Sequence, residues 1–443
     1  MIINKDADNL FKNFVKYVSF NVLGLLGISC YILADTFIIA NGVGALGLTS
    51  LNIAIPIHGF INALGLMLGI GAATRYSIYR AKNKVLESNK IFTNILISGL
   101  VIGLAFAFIG VFAGGTLSRL LGANSETYHM TKEYLRTSMF FTPLFILNNI
   151  MVAFVRNDHD PGLSMLSMLA GSLFNIIFDY IFVFPMNMGI FGAALATGLA
   201  PIVGIISLTF HFFKKSNNLK LVRCPFEIKK VIKSCQLGIA SFIGEISSGI
   251  VIIAYNNVIL SIAGNIGVAA YGIIANIALV VLAVFSGITQ GMQPLISNYY
   301  GRGKISKSKK IFKWGLYLSV VLAILIYVVC AVNNEAIVEA FNIEKNPQLS
   351  NIASKGIILY FTGFLFAGLN IVMAAYLAAT ERIRAAAWIS VARGLIIIIP
   401  TLLILAYFYH MDGVWLSFLV SEILTGAIAL RILKGVHNKA IGS

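Results

Sequence analysis

The sequence predicts an all-α polytopic membrane protein with twelve transmembrane helices in two pseudo-symmetric six-helix lobes. Three observations predict it. Of the 443 residues, 58% are hydrophobic and 11% charged, with a mean hydropathy of +0.88, whereas a soluble domain carries roughly 25% charge. Many apolar runs exceed the roughly 18 residues that mark a membrane span. The 33 Lys and Arg residues fall almost entirely between those runs, on alternate connections. The formal charge of +16 is therefore read as orientation in a bilayer, and no nucleic-acid partner is expected.

Taken in order, the spans are expected at 14–40, 50–76, 91–114, 131–155, 163–184, 190–213, 234–262, 270–297, 311–333, 353–379, 385–408 and 412–433. The first run is preceded by Lys5, Asp6, Asp8, Lys12 and Lys16, and no small-residue cleavage site follows it, so no removable signal peptide is expected. Only Arg119, Lys132, Arg136, Lys345 and Lys355 lie on one side of the resulting topology, and Arg393 lies inside a span. Every other cation, from Lys5 to Lys439, lies on the opposite side. The positive-inside rule then places both termini in the cytoplasm, with the chain multi-pass in the cell membrane.

The basic segment from Lys214 to Lys233 divides the spans six and six. The expected organisation is a first lobe at 1–215, a cytoplasmic linker at 216–233 and a second lobe at 234–443. A faint internal repeat supports it: Gly65, Gly69, Arg80 and Lys82 fall in register with Gly287, Gly291, Arg302 and Lys304, and Gly192 and Leu195 with Gly413 and Leu416. Six spans per half give both halves one orientation, which implies parallel repeats with substrate handled near their interface. Prolines inside spans (Pro56, Pro143, Pro201, Pro294, Pro400) each remove a backbone hydrogen bond and can kink a helix. Pro161 behind Asp160 reads instead as a helix start, with Asp as cap.

The richest stretch runs from Gly171 to Pro201, two apolar segments meeting at a Pro-Met-Asn-Met-Gly turn. Asp179 lies in the first segment, and an acid there costs roughly 2.5–3.5 kcal/mol on insertion scales. Met168, Ser172, Asn175 and Asp179 share one helical stripe. Tyr31 and Asp35 share a face of the first span, and Thr197 lies in the sixth. At a rise of about 1.5 Å per residue, Asp35, Asp179 and Thr197 lie at one depth, roughly 8–10 Å below the outer surface. Two carboxylates, an amide oxygen and a hydroxyl are hard oxygen ligands for a small cation. The same pair can instead hold one shared proton, since neighbouring carboxylates resist ionising together. A hydrogen-bonded knot without an ion is the structural alternative.

Other polar groups inside spans are read one by one. Glu245, among glycines and serines of the seventh span, is either a cavity group or a packing one. Arg393 and Glu422 lie at matching depth in the last two spans and are expected to form a structural ion pair. His58 is read as a hydrogen-bonded lining residue. Gln290 and Gln293 either line a cavity of the second half or pack within it. Cys30, Cys224, Cys235 and Cys330 show no metal spacing. HExxH and GxSxG are absent, and Gly301 to Ser306 lacks the glycine spacing and the Ser/Thr of a phosphate-binding loop. The chain is not expected to be an enzyme, and its energy source is expected to be a gradient or a partner.

The elements ADTFIIA at Ala34, VRNDHDP at Val155, NIIFDYIF at Asn175, GIFGAALAT at Gly189 and GMQPLISNYYGRGK at Gly291 resemble the MATE family of multidrug and toxic-compound extrusion transporters, in its DinF/MepA-like branch. The resemblance covers nearly the whole chain. It implies Na⁺- or H⁺-coupled antiport of amphipathic, often cationic compounds, with a coupling site at Asp35, Asn175, Asp179 and Thr197. It also implies a neighbouring pocket including Tyr31, Asn148 and Met168. Glu245 matches an acid of the NorM-like branch, but the tenth span, Gly356 to Ala379, has none, so a complete second-lobe ion site is not expected. The first span has Gly24 and Gly27 but no proline, so no proline-driven bend is assumed. The implied cofactor set is the coupling ion alone. The implied partners are small amphipathic drugs and the lipid bilayer, and the chain is expected to be a monomer.

Three rival readings make different demands on the chain. A flippase for lipid-linked saccharide precursors would favour a cationic cavity for a pyrophosphate, whereas the embedded groups of the first lobe are acidic. A membrane enzyme acting on lipids would need a nucleophile–base or metal constellation. A passive channel would not accumulate a dye against its gradient.

Overall fold

The computed structural model describes residues 10–342 and 346–441, with side chains through 435. Lys5, Asp6, Asp8 and Lys345 lie outside the described residues, as does the Lys439 side chain. Every regular element among the described residues is a helix. The elements are α1 (Leu10–Gly42), α2 (Ala45–Ala81), α3 (Val85–Leu120), α4 (Tyr128–Phe140), α5 (Thr142–Asn157), α6 (Pro161–Val183) and α7 (Gly189–Thr209). They continue with α8 (Ile228–Gly301), α9 (Ile305–Val332), α10 (Asn334–Phe341), α11 (Pro347–Tyr360), α12 (Phe364–Ala379), α13 (Ile383–Val391) and α14 (Ile398–Ile441).

These helices resolve into twelve spans. Nine helical stretches are long and apolar enough to cross a bilayer, or ten when the pair α4–α5, bent by 48°, counts as one. Two stretches are each double. The 74 residues of α8 would run about 110 Å as one rod, against a hydrocarbon core of about 30 Å. The helix instead breaks at Gly264, where φ is 62° and ψ −157°. The last stretch breaks likewise at His410, with φ 50° and ψ −131°. Both breaks fall between the spans expected from sequence, and each is a kink at a single non-helical residue rather than a loop.

The proline readings differ in consequence. Pro143 lies in the first turn of α5, just past the break at Phe141, where its ring cannot tolerate the carbonyl one turn back. Gly103 of α3 faces it, and a Cβ there would collide with the Pro143 backbone. Pro56 and Pro201 stay inside continuous α2 and α7. Three elements are not foreshadowed by the hydropathy pattern: α10, the 3₁₀ turn Phe361–Gly363 splitting the tenth span, and the π-turn Ala392–Ile396 in the eleventh.

The chain divides into two compact units, one of residues 1–242 with 297–305, the other of 243–296 with 306–443. In the first unit α1 packs on α6, α6 on α7, α2 on α5, and α3 on α4 and α5. Its core runs through Leu68, Tyr76, Phe92, Ile150 and Phe154, with Phe92 and Phe154 rings 4.9 Å apart. Glycines permit the closest crossings: a Cβ on Gly71 would strike the Ser234 carbonyl, and one on Gly238 the Met67 carbonyl. In the second unit α12 packs on α13 and α14, and α11 on α14. An aromatic cluster of Tyr255, Tyr271, Tyr360, Trp415 and Phe418 fills its centre. Large apolar side chains such as Phe37, Phe108, Phe112 and Tyr407 point outward, as lipid-facing residues do.

The internal repeat is visible in backbone detail. The turns after α2, α5, α8 and α12 each place one residue at positive φ: Asn83 (60°), His159 (71°), Gly303 (72°) and Glu381 (60°). Each then closes a bond of the kind that satisfies a helix's last carbonyls: Lys84 N–H to Tyr79 O at 2.9 Å, Asp160 to Val155 at 3.1 Å, Lys304 to Tyr299 at 2.9 Å and Arg382 to Leu377 at 2.8 Å. Lys304 therefore matches Lys84. The sequence register that paired it with Lys82 is corrected by two positions, because the left-handed residue fixes where each helix stops.

Candidate functional site

The site is assembled by α1, α6 and α7. Asp160 caps α6, its carboxylate accepting from Leu163 N–H at 3.3 Å. From there the stripe Met168, Ser172, Asn175 and Asp179 runs along α6 and is buried throughout, Asn175 and Asp179 completely. Gly24 and Gly27 on α1 lie against Met168 and Leu169, where Cβ atoms would collide, so α1 and α6 approach closely. On the other side Gly171 faces the Ala200 carbonyl of α7, and Gly192 of α7 faces Phe182. Small residues on both flanks of α6 thus draw the polar side chains of three helices together.

Asp35, itself buried, lies beside Asp179, close enough for the two carboxyl groups to interact. Asn175 Nδ2 donates to Thr197 Oγ1 at 3.2 Å. Tyr31, one turn before Asp35, lies within electrostatic reach of both carboxylates. Asp35 Oδ1, Asn175 Oδ1 and both carboxylate oxygens of Asp179 are buried without a hydrogen-bond donor. A buried acceptor left without a donor costs free energy, and a charged one costs more. A proton on the pair, or a small hard cation among these oxygens, supplies the missing partner. The donor set therefore fits either.

Tyr134 of α4 was missed by sequence reasoning. Its buried side chain lies within reach of Asp35, Asp179 and Tyr31, and next to Thr197. Its sequence signal is slight: Tyr134 and Ser138 lie one turn apart in a segment that also carries Lys132, Glu133 and Arg136. Behind it, His58 Nε2 and Ser138 Oγ are 3.1 Å apart, and the His58 and Tyr134 rings meet edge-on at 5.6 Å. His58 is thus a hydrogen-bonded neighbour of the site, as expected.

The remaining residues lie elsewhere. Asn148 faces Gly204 and Ser167. Asn148 belongs to α5, and Met168 lies about 16 Å along α6 from Asp179 at the helical rise, on the same stripe. Glu245 and Gln290 belong to the second unit, Glu245 exposed and Gln290 half-buried. In that unit Arg393 Nε donates to Glu422 Oε1 at 2.8 Å, and Asn370 Nδ2 to Glu422 Oε2 at 2.7 Å, so the expected ion pair is present with a third member. Arg393 lies in the π-turn.

Twelve spans, with unsatisfied carboxylates buried in the first unit, are the architecture of a membrane transporter. The MatE family model matches residues 22–181 and 240–404, and the chain belongs to that family. The Multidrug export protein MepA of Staphylococcus saprophyticus is 26% identical over 399 residues, spanning 88% of this chain and 87% of its own. MepA of Staphylococcus aureus (strain MRSA252) is 27% identical over 405 residues, 87% of this chain and 85% of its own. A solved outward-facing multidrug resistance MATE family transporter of the MOP superfamily superimposes with a TM-score of 0.90 at 18% identity over 96% of each chain, a likeness of fold.

Proposed function

We propose that this protein is a multidrug efflux antiporter that exports amphipathic, often cationic compounds in exchange for Na⁺ or H⁺. The observation that carries the reading is the set of donor-less oxygens on Asp35, Asn175 and Asp179. In this reading Asp35 and Asp179 hold the coupling charge. Asn175, held by Thr197, turns its carbonyl oxygen toward them, and Tyr31 and Tyr134 close the site against lipid. The ion supplies the positive charge that lets two carboxylates stay close. Exchange requires ion and drug to favour different conformational states, since a ligand shifts an equilibrium only by its differential affinity. The MepA relatives, multidrug export proteins by name, support the same reading. In this reading the basic loops and both termini face the cytoplasm, as the positive-inside rule favours, and the coupling site lies nearer the outer surface.

Proteoliposomes holding the wild-type protein or Asp179→Asn, with Na⁺ and pH gradients imposed separately, test this. The wild type is expected to move a cationic dye uphill under one gradient and the variant to fall to background at equal insertion. Full transport by Asp179→Asn would overturn the coupling role, and no uphill transport by the wild type under either gradient would overturn antiport itself.

A further inference from the structure

The segment between α7 and α8 is pinned along α3. Asn218 N–H donates to Asp158 Oδ2 at 2.6 Å. The backbone N–H groups of Lys220, Val222 and Glu227 donate to Asn89 Oδ1 (3.4 Å), Thr93 Oγ1 (3.1 Å) and Asn94 Oδ1 (2.8 Å). Asn94 also donates from Nδ2 to Cys224 Sγ at 3.4 Å. Asn89 and Thr93 lie one turn apart on one face of α3, with Asn94 flanking Thr93. A connection that sequence alone reads as a basic linker is therefore a fixed strap.

The outward side of the strap and of the first turns of α8 has a definite pattern. Phe226, Ile228 and Ile232 are more than half exposed, and Arg223, Lys229 and Lys233 are exposed beside them. On α8 the pairs Ile228–Ile232 and Lys229–Lys233 form two adjacent columns one turn long. Lys230 behaves differently: it is bound by Glu87 at 2.6 Å and Glu227 at 2.8 Å. Arg223, Lys229 and Lys233 enter no ion pair among the described residues.

We propose that this strap and the start of α8 form a binding site for an anionic phospholipid of the adjoining leaflet, phosphate on Arg223, Lys229 and Lys233, acyl chain along Phe226, Ile228 and Ile232. The apolar column continues directly into a membrane span, so its occupant must be apolar along its length and anionic at one end. Cationic side chains at a bilayer surface attract such headgroups, and their alkyl stems extend the apolar contact. Because the backbone is already fixed, binding costs little ordering entropy.

The test is native mass spectrometry and thermal melting in nanodiscs of phosphatidylcholine with or without phosphatidylglycerol, which needs neither transport nor a known orientation. The wild type is expected to retain phosphatidylglycerol at least tenfold more tightly than phosphatidylcholine. Arg223→Gln/Lys229→Gln/Lys233→Gln is expected to lose that preference while melting like the wild type in pure phosphatidylcholine. A control, Lys82→Gln/Lys84→Gln/Lys304→Gln, removes equal charge from neighbouring turns and is expected to keep it. The single Lys233→Gln, expected to lose part of it, decides the matter should the triple variant fold poorly. Unchanged preference in both strap variants, or equal loss in the control, overturns the site. Equal binding of the two lipids, with a soluble protein held by the wild type and lost by the triple variant, assigns the face to a protein instead.

Discussion

His211 and Asp158 meet at 2.8 Å, Nε2 to Oδ2, with neither side chain reaching solvent. The other ring nitrogen, Nδ1, faces Asp160 Oδ2 at 3.2 Å. Only a doubly protonated ring can donate to both carboxylates. Asp158 also accepts from Tyr76 OH at 2.9 Å and from the Asn218 backbone, and Arg80 donates to the Asn218 side chain. The end of α7, the α5–α6 turn and the strap are thus joined by one imidazolium. His211→Ala is expected to destabilise the first unit by about 3 kcal/mol, because a buried carboxylate loses its counter-charge. A melting temperature within a degree of wild type in detergent would contradict this.

Asp160 gives a pH signature. Burial alone raises its carboxyl, but the bonds from His211 and Lys214 outweigh this and bring it down to about 2. A depressed carboxyl contributes stability that is fully present above its unfolded value, near 3.8, and lost as pH falls toward 2. Asp160→Asn should therefore lower the melting temperature by a constant amount between pH 5 and 8, the deficit shrinking only below pH 4. A deficit that grows on acidification would show that the ion pairs do not hold this carboxylate.

The Arg393–Glu422 pair is expected to be a structural element of the second unit. Removing one member, as in Glu422→Leu or Arg393→Met, leaves the other without its counter-charge and should cost about 3 kcal/mol, whereas the double Arg393→Met/Glu422→Leu should recover most of it. Thermal melting of the two singles and the double completes the cycle. Additive losses would mean that the two side chains do not act as a pair.

Gly238→Ala places a methyl against the Met67 carbonyl, a backbone atom that cannot rotate away. Overpacking of this kind costs about 1–3 kcal/mol. Gly244→Ala, whose Cβ meets open space, is the matched control and should melt like the wild type. Equal melting of both variants would show that the close crossing yields easily.

Tyr134→Phe keeps the ring but removes the hydroxyl beside Asp35, Asp179 and Thr197. If the site couples transport, the variant is expected to keep its fold and to shift the pH or Na⁺ dependence of dye export. An unchanged dependence would make Tyr134 a packing residue.

Membrane insertion, span number and the polar stripe of α6 were legible in the sequence, because hydrocarbon tolerates few polar groups and those that remain stand out one by one. So was the depth match of Arg393 with Glu422, since helical rise converts position into height. Tertiary structure alone decided which helix faces which. Tyr134 of α4 joined the carboxylates of α1 and α6 through the packing of those helices, Asn148 of α5 came to face Gly204 of α7, and the linker became a strap through side chains on α3. Periodicity fixes a residue's height and its face within its own helix. Rotation and partner are set by close packing between helices, here by glycines whose contacts lie far apart in the chain.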